Sequence, residues 1–170
     1  IKGDLLKKHV AGKDNRRNKM KLHQIHRKQA IPISISEAWE FFSSPQNLSK
    51  ITPSWLNLTV ISDIPRAMHS GMIISYRITP IVRVPTLWIS EITHVNRPTY
   101  FVDEQRLGPF RFWHHQHVFK EVGRNVEIQD IVHYAMPLGP IGEMVYSISV
   151  GKKVDSIFDF RQKALKRILF

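Results

Sequence analysis

The residues best placed to do chemistry in this chain are His115, His117 and Asp130, with one more carboxylate at Asp103 or Glu104. An imidazole oriented by a carboxylate is the usual general base. In an apolar pocket the same pair would grip the single hydroxyl, carbonyl or carboxylate of an otherwise apolar ligand. It would serve equally as a satisfied polar pair inside a core, since buried polar atoms are normally partnered. The run His114-His115-Gln116-His117 also invites a metal, because His115, His117 and Asp130 offer two nitrogens and one oxygen. His114 must point the other way, and His-x-His is common on strands without a metal. No metal and no cofactor are therefore expected. No serine or cysteine nucleophile motif accompanies the histidines, which argues against acyl transfer.

The elements that position these residues form a predicted meander of three strands over 100–136. Gly123-Arg124 separates two alternating runs, and a two-residue loop containing Gly is a hairpin signal. Cross-strand partners are then Phe119 with Ile128, His117 with Asp130, His115 with Val132 and Trp113 with Tyr134, all on one face. Five of these eight are apolar or aromatic, so the face points inward. A slip by one residue would instead bury Gln116, Lys120, Glu127 and Gln129. The preceding turn at Leu107-Gly108-Pro109-Phe110 fixes the register less firmly, and either Asp103 or Glu104 faces inward.

Around the meander the sequence predicts a first strand over 21–31 and a short helix over 37–42 capped by Ser36. A second short helix begins at Pro45 and stops at Thr52-Pro53. Strands then follow from Leu56, from Met72 to Ile78 with Tyr76 inward, and over 86–95, giving about seven in all. The segment 140–170 is predicted as one long helix, roughly 40 Å at about 1.5 Å per residue, kinked at Gly151. Met144, Ile148 and Phe158 of that helix are expected to border any cavity beneath it. The other large aromatics, Trp39, Phe41, Phe42, Trp55 and Trp88, read as core.

Composition bounds the reading. The 170 residues make one domain with a sizeable core. The absence of cysteine excludes disulfides and thiolate metal sites. No run approaches the roughly 18 apolar residues of a membrane span, and 1–20 lacks the apolar segment of a signal peptide, so the expected compartment is cytoplasmic. The net charge of +11 is divided. Residues 1–19 hold seven Lys/Arg against two Asp, and more basic residues, among them Lys163, Lys166 and Arg167, crowd the end of the last helix. Without a contiguous basic surface, nucleic acid is not an expected partner. The stretch 1–19 has no apolar period and reads as a mobile tail or a segment foreign to the natural protein, with Met20 resembling a natural start. The domain proper is then 20–170.

The order of elements, strand, two short helices, six strands and a long last helix, is that of the helix-grip fold, an α+β architecture with a curved antiparallel sheet wrapped around the C-terminal helix. The stretches AWEFFSSPQNL over 38–48, Ile51-Thr52-Pro53, FVDEQ over 101–105, Gly108-Pro109-Phe110, WHHQHVF over 113–119 and DIVHY over 130–134 resemble the bacterial SRPBCC ligand-binding proteins. These belong to the START and plant-allergen superfamily, and this subfamily is sometimes labelled cell-division-inhibitor-like. The resemblance covers about 20–170. It implies a cavity between sheet and last helix that binds a lipid, sterol or polyketide-like molecule without covalent chemistry. Asp103, Glu104, Trp113, His115, His117, Asp130, Tyr134, Tyr76, Met144 and Ile148 are the candidate binding residues. Two alternatives remain: an acid/base enzyme of the polyketide cyclase or dehydratase type using His117 and Asp130, and a protein-interaction module whose cavity is filled by its own side chains. Oligomeric state is not legible.

Overall fold

A run of alternating residues ending before Pro32 opens the described part of the chain. In the computed structural model, which describes residues 21–79 and 84–169, His23–Ile31 forms strand β1 with alternate side chains buried. The basic stretch 1–19 lies outside the described residues. Helix α1, Ile35–Phe42, is capped by Ser34 and not by the expected Ser36. The Ser34 hydroxyl accepts from the Glu37 N–H at 3.2 Å, while the Glu37 carboxylate accepts from the Ser34 N–H at 2.8 Å. Such a capping box needs Glu three residues after the cap, and three after Ser36 stands Trp39.

Tight helical turns follow at Pro45–Ile51 and Ser54–Leu56. The second ends on Asn57 in the left-handed region at φ 45°, so the strand expected from Leu56 shrinks to β2, Thr59–Val60. The remaining strands are β3 Met72–Ile78, β4 Thr86–Asn96, β5 Tyr100–Leu107, β6 Phe112–Val122 and β7 Asn125–Ala135. All neighbours are antiparallel in the order β1-β7-β6-β5-β4-β3-β2. The predicted β6–β7 register holds at all four pairs: Phe119 with Ile128, His117 with Asp130, His115 with Val132 and Trp113 with Tyr134. Gly123 supplies the positive φ, 61°, at the first position of the loop. Register shifts between Ile89 and Ser90 and between Ile92 and His94 mark irregularities in β4, a device that bends a strand and increases its twist.

The last segment is helical throughout, as expected, but not uniformly α. Helix α2, Gly139–Val145, passes through a π-helical turn at Tyr146–Val150 into α3, Gly151–Leu169. The inner stripe of α3 is Val154, Phe158, Arg161, Ala164 and Leu165. Two apolar clusters form where it meets the sheet. One gathers Trp39 edge-on to Phe101 and Phe119 under α1. The other joins Val132, Tyr134, Val150, Val154 and Phe158. Each such fully buried side chain contributes roughly 1.5–3 kcal/mol.

Candidate functional site

Antiparallel register brings the polar residues of three adjacent strands to one place. On β5, Asp103 stands opposite His115 of β6, and on β6, His117 stands opposite Asp130 of β7. Period-two alternation turns all four side chains to the concave face. Helix α3 closes the group from above with Arg161, which is only 5% exposed.

The hydrogen bonds run diagonally to the register. His117 donates Nε2–H to Asp103 Oδ2 at 3.0 Å, and His115 donates Nε2–H to Asp130 Oδ1 at 2.9 Å. Arg161 Nη1–H donates to the same Asp130 oxygen at 3.0 Å. His117 Nδ1 lies at ion-pair distance from Asp130, 3.2 Å, but at an angle that makes no hydrogen bond. The expected His117–Asp130 pair is thus a close contact, with the stronger partner of each residue one strand or two residues away. The two imidazole rings are 3.8 Å apart, and His117 stacks on Phe101 at 4.2 Å with its plane tilted 18°.

Burial opposes ionisation of every member, so each charge must be matched within the group. Burial would raise the Asp130 carboxyl, yet Arg161 and the two imidazoles outweigh it and hold it well below its ordinary value. Against the same burial, His115, His117 and Arg161 hold Asp103 low. The histidines separate. Burial and the neighbouring His117 push His115 down to about 4 against the pull of the carboxylates, whereas for His117 the hydrogen bond to Asp103 and the proximity of Asp130 overcome burial and raise it. The cluster thus sets two carboxylates against one guanidinium and two imidazoles whose proton affinities are pushed in opposite directions. The two imidazoles titrate as a coupled pair.

Beside this cluster lies a cavity of about 340 Å³ between the sheet, α1 with its following turns, and the C-terminal helix. Its wall is mostly apolar, including Ile74, Ile92, Trp88, Phe110 and Phe158, and also takes in Asp103, His115, His117 and Arg161 of the cluster, Tyr76 and Ser90, and the polar Asn47, Thr52 and Lys153. Burial and the charge of Asp103 raise the Tyr76 phenol far above its ordinary range, so it stays a neutral hydroxyl. The donor atoms of Asp103, His115 and His117 lie within 4.8 Å of one another and are the set that could hold a metal ion. The charge of Arg161, which pairs with Asp130 beside them, works against a cation there.

Of the residues singled out from sequence, Tyr76, Asp103, Trp113, His115 and His117 line the cavity. Asp130 sits behind the histidines, and Tyr134 is packed against Phe110 and Trp113. Glu104 faces outward, where its carboxylate accepts from His114 Nδ1 at 2.9 Å and from Arg106 at 3.2 Å. This settles the open choice in favour of Asp103. Met144 and Ile148, expected at the cavity border, are instead 58% and 70% exposed. Val145, Val150, Val154 and Phe158 take the lining positions on this segment. Sequence reasoning misses Arg161. Its signal is present, because it falls three residues after Phe158 and seven after Val154, on the buried stripe. Trp88, read as core, is a cavity wall, and its indole N–H donates to Ser90 at 3.0 Å.

Comparison with known proteins yields fold relatives only. No family model matches the sequence, and no curated protein matches it. Among solved structures, TTHA0849 from Thermus thermophilus superposes with a TM-score of 0.63 at 12% identity, over 85% of this chain and 98% of that one. Norcoclaurine synthase from Thalictrum flavum gives 0.58 at 15%, covering 97% and 98%. The major latex-like protein 151 from Panax ginseng gives 0.53 at 12%, covering 79% and 96%. What these structures share with this chain is the architecture, a curved antiparallel sheet closed by a C-terminal helix, the helix-grip fold. At these identities the likeness is one of fold.

Proposed function

We propose that this chain binds a small hydrophobic molecule non-covalently in the cavity under the C-terminal helix, with Asp103, His115 and His117 holding the ligand's polar group. The observation that carries the reading is the composition of the wall: about 340 Å³ of mostly apolar space that takes in the mutually contacting Asp103, His115 and His117. Pockets of roughly 300–1,000 Å³ with a few convergent polar groups are the usual form of a small-molecule site. A lipid, sterol or polyketide-like ligand suits such a wall, and the open volume favours this over an interaction module with a filled interior.

The same cluster supports acid/base catalysis as a second reading, because the cavity wall carries two adjacent imidazoles, His115 with its proton affinity lowered and His117 with its proton affinity raised. Cyclisation, dehydration or isomerisation of a bound ligand needs only such a pair. Binding is preferred because the bonds from His117 to Asp103 and from His115 to Asp130 fix both imidazoles in place as a handle. The test is titration with the neutral fluorophore N-phenylnaphthylamine, comparing the natural chain with Ile74→Trp, which fills the cavity at a cost of about 1–3 kcal/mol. Saturable enhancement lost in the folded variant supports the binding reading. Equal response in both overturns it.

A further inference from the structure

The segment leading into α3 reads PLGPIGEMVYSISVGKK. Its one acid, Glu143, is turned onto the buried His23 at 2.9 Å. What faces solvent is apolar: Leu138 is 75% exposed, Ile141 63%, Met144 58% and Ile148 70%. The spacing 141, 144, 148 puts three of these on one helical face, and the exposed Lys152 follows. Water-facing apolar rows of this kind mark interaction sites.

The row adjoins the cavity mouth. Val145 and Trp55 both line the cavity while remaining 43% and 41% exposed, so cavity wall reaches solvent at both residues, one of them within the apolar row's own helix. Lys153, also a lining residue, holds its ammonium 5.4 Å from the centre of the Trp55 ring. An apolar row, a half-exposed tryptophan and flanking lysines together form the pattern of an element that lies in a membrane interface.

Resting on the binding function proposed above, we infer that this face docks the cavity mouth onto an anionic lipid surface, so that an apolar ligand passes between bilayer and cavity without crossing water. Charge decides between a bilayer and a second copy of the chain. Net charge is +11, and a two-fold contact through this face would set Lys152 and Lys153 of each copy near those of the other. An anionic bilayer attracts the same lysines.

The test is co-sedimentation of the full chain with phosphatidylcholine vesicles, with and without phosphatidylglycerol, alongside N-phenylnaphthylamine titration in vesicle-free solution. Binding to the anionic vesicles is expected, reduced at least tenfold in Ile141→Glu/Ile148→Glu and about fivefold in Lys152→Gln, the equivalent of ~1 kcal/mol per lysine. Both variants change exposed positions and should keep their fluorophore response. A chain that binds the fluorophore but not the vesicles overturns docking and leaves the cavity function standing. A chain that binds neither removes both. Dimerisation abolished by the glutamates, without vesicle binding, assigns the face to a second copy and overturns the proposal.

Discussion

Replacing Arg161 with methionine removes the one permanent cation of the buried cluster while keeping most of the apolar stem that covers Phe158. Asp130, 5% exposed, loses its 3.0 Å bond to the guanidinium and keeps only the imidazoles as partners. Breaking a buried ion pair from one side costs about 3–5 kcal/mol, because the remaining charge stays buried. In a domain of this size that corresponds to a fall in melting temperature of roughly 6–20 °C, at about 2–4 °C per kcal/mol. The loss should shrink on mild acidification, since His115, 2.9 Å from Asp130, can then take up the missing positive charge. Urea unfolding followed by tryptophan fluorescence reads the change, with Trp113 lying 6.3 Å from His115. Adding Asp130→Asn to the variant should recover part of the loss, leaving the pair non-additive by about 0.5–3 kcal/mol. A loss below about 1 kcal/mol, or strict additivity, would refute the claim that the cluster is held by charge balance.

Stability should peak near the ordinary histidine value of 6.5. His115 is depressed to about 4, so the unfolded chain binds the extra proton between 6.5 and 4 and stability falls on acidification through that window. His117 is raised, so its contribution is complete below 6.5 and is lost as pH climbs through its folded value. Below 3.8 the depressed Asp130 and Asp103 add a second acid loss. Unfolding midpoints across pH check this, with His117→Phe expected to flatten the alkaline limb and an unchanged limb counting against the assignment. Gly142→Ala should loosen α2, because a Cβ there would collide with the Pro137 carbonyl oxygen. Faster amide exchange over 139–150 with the sheet unaffected is the expected signature.

Much of the site is legible because period two leaves little freedom. With Gly123-Arg124 as a two-residue loop, the inward placement of His115, His117 and Asp130 follows, and the register agrees at each pair. The choice between Asp103 and Glu104 is not legible, since the loop over 107–110 fixes no register by itself. Diagonal bonding escapes the pattern as well, because side-chain reach is not set by which residues stand opposite. The π-helical turn at Tyr146–Val150 has no sequence signature comparable to a proline, and the exposure of Met144 and Ile148 is not legible from apolar spacing. Arg161 is passed over when the stripe is read for apolar residues alone. A cation on that stripe is the mark of a buried carboxylate opposite.

The most direct measurement of the central claim is native mass spectrometry of the chain purified gently from its own host, with any released molecule identified, repeated on His117→Phe. The account predicts one small apolar molecule per chain, bearing a single polar group, that is retained by the natural protein and lost or weakened in the variant. Bare protein in both samples, together with no response to N-phenylnaphthylamine, would contradict it.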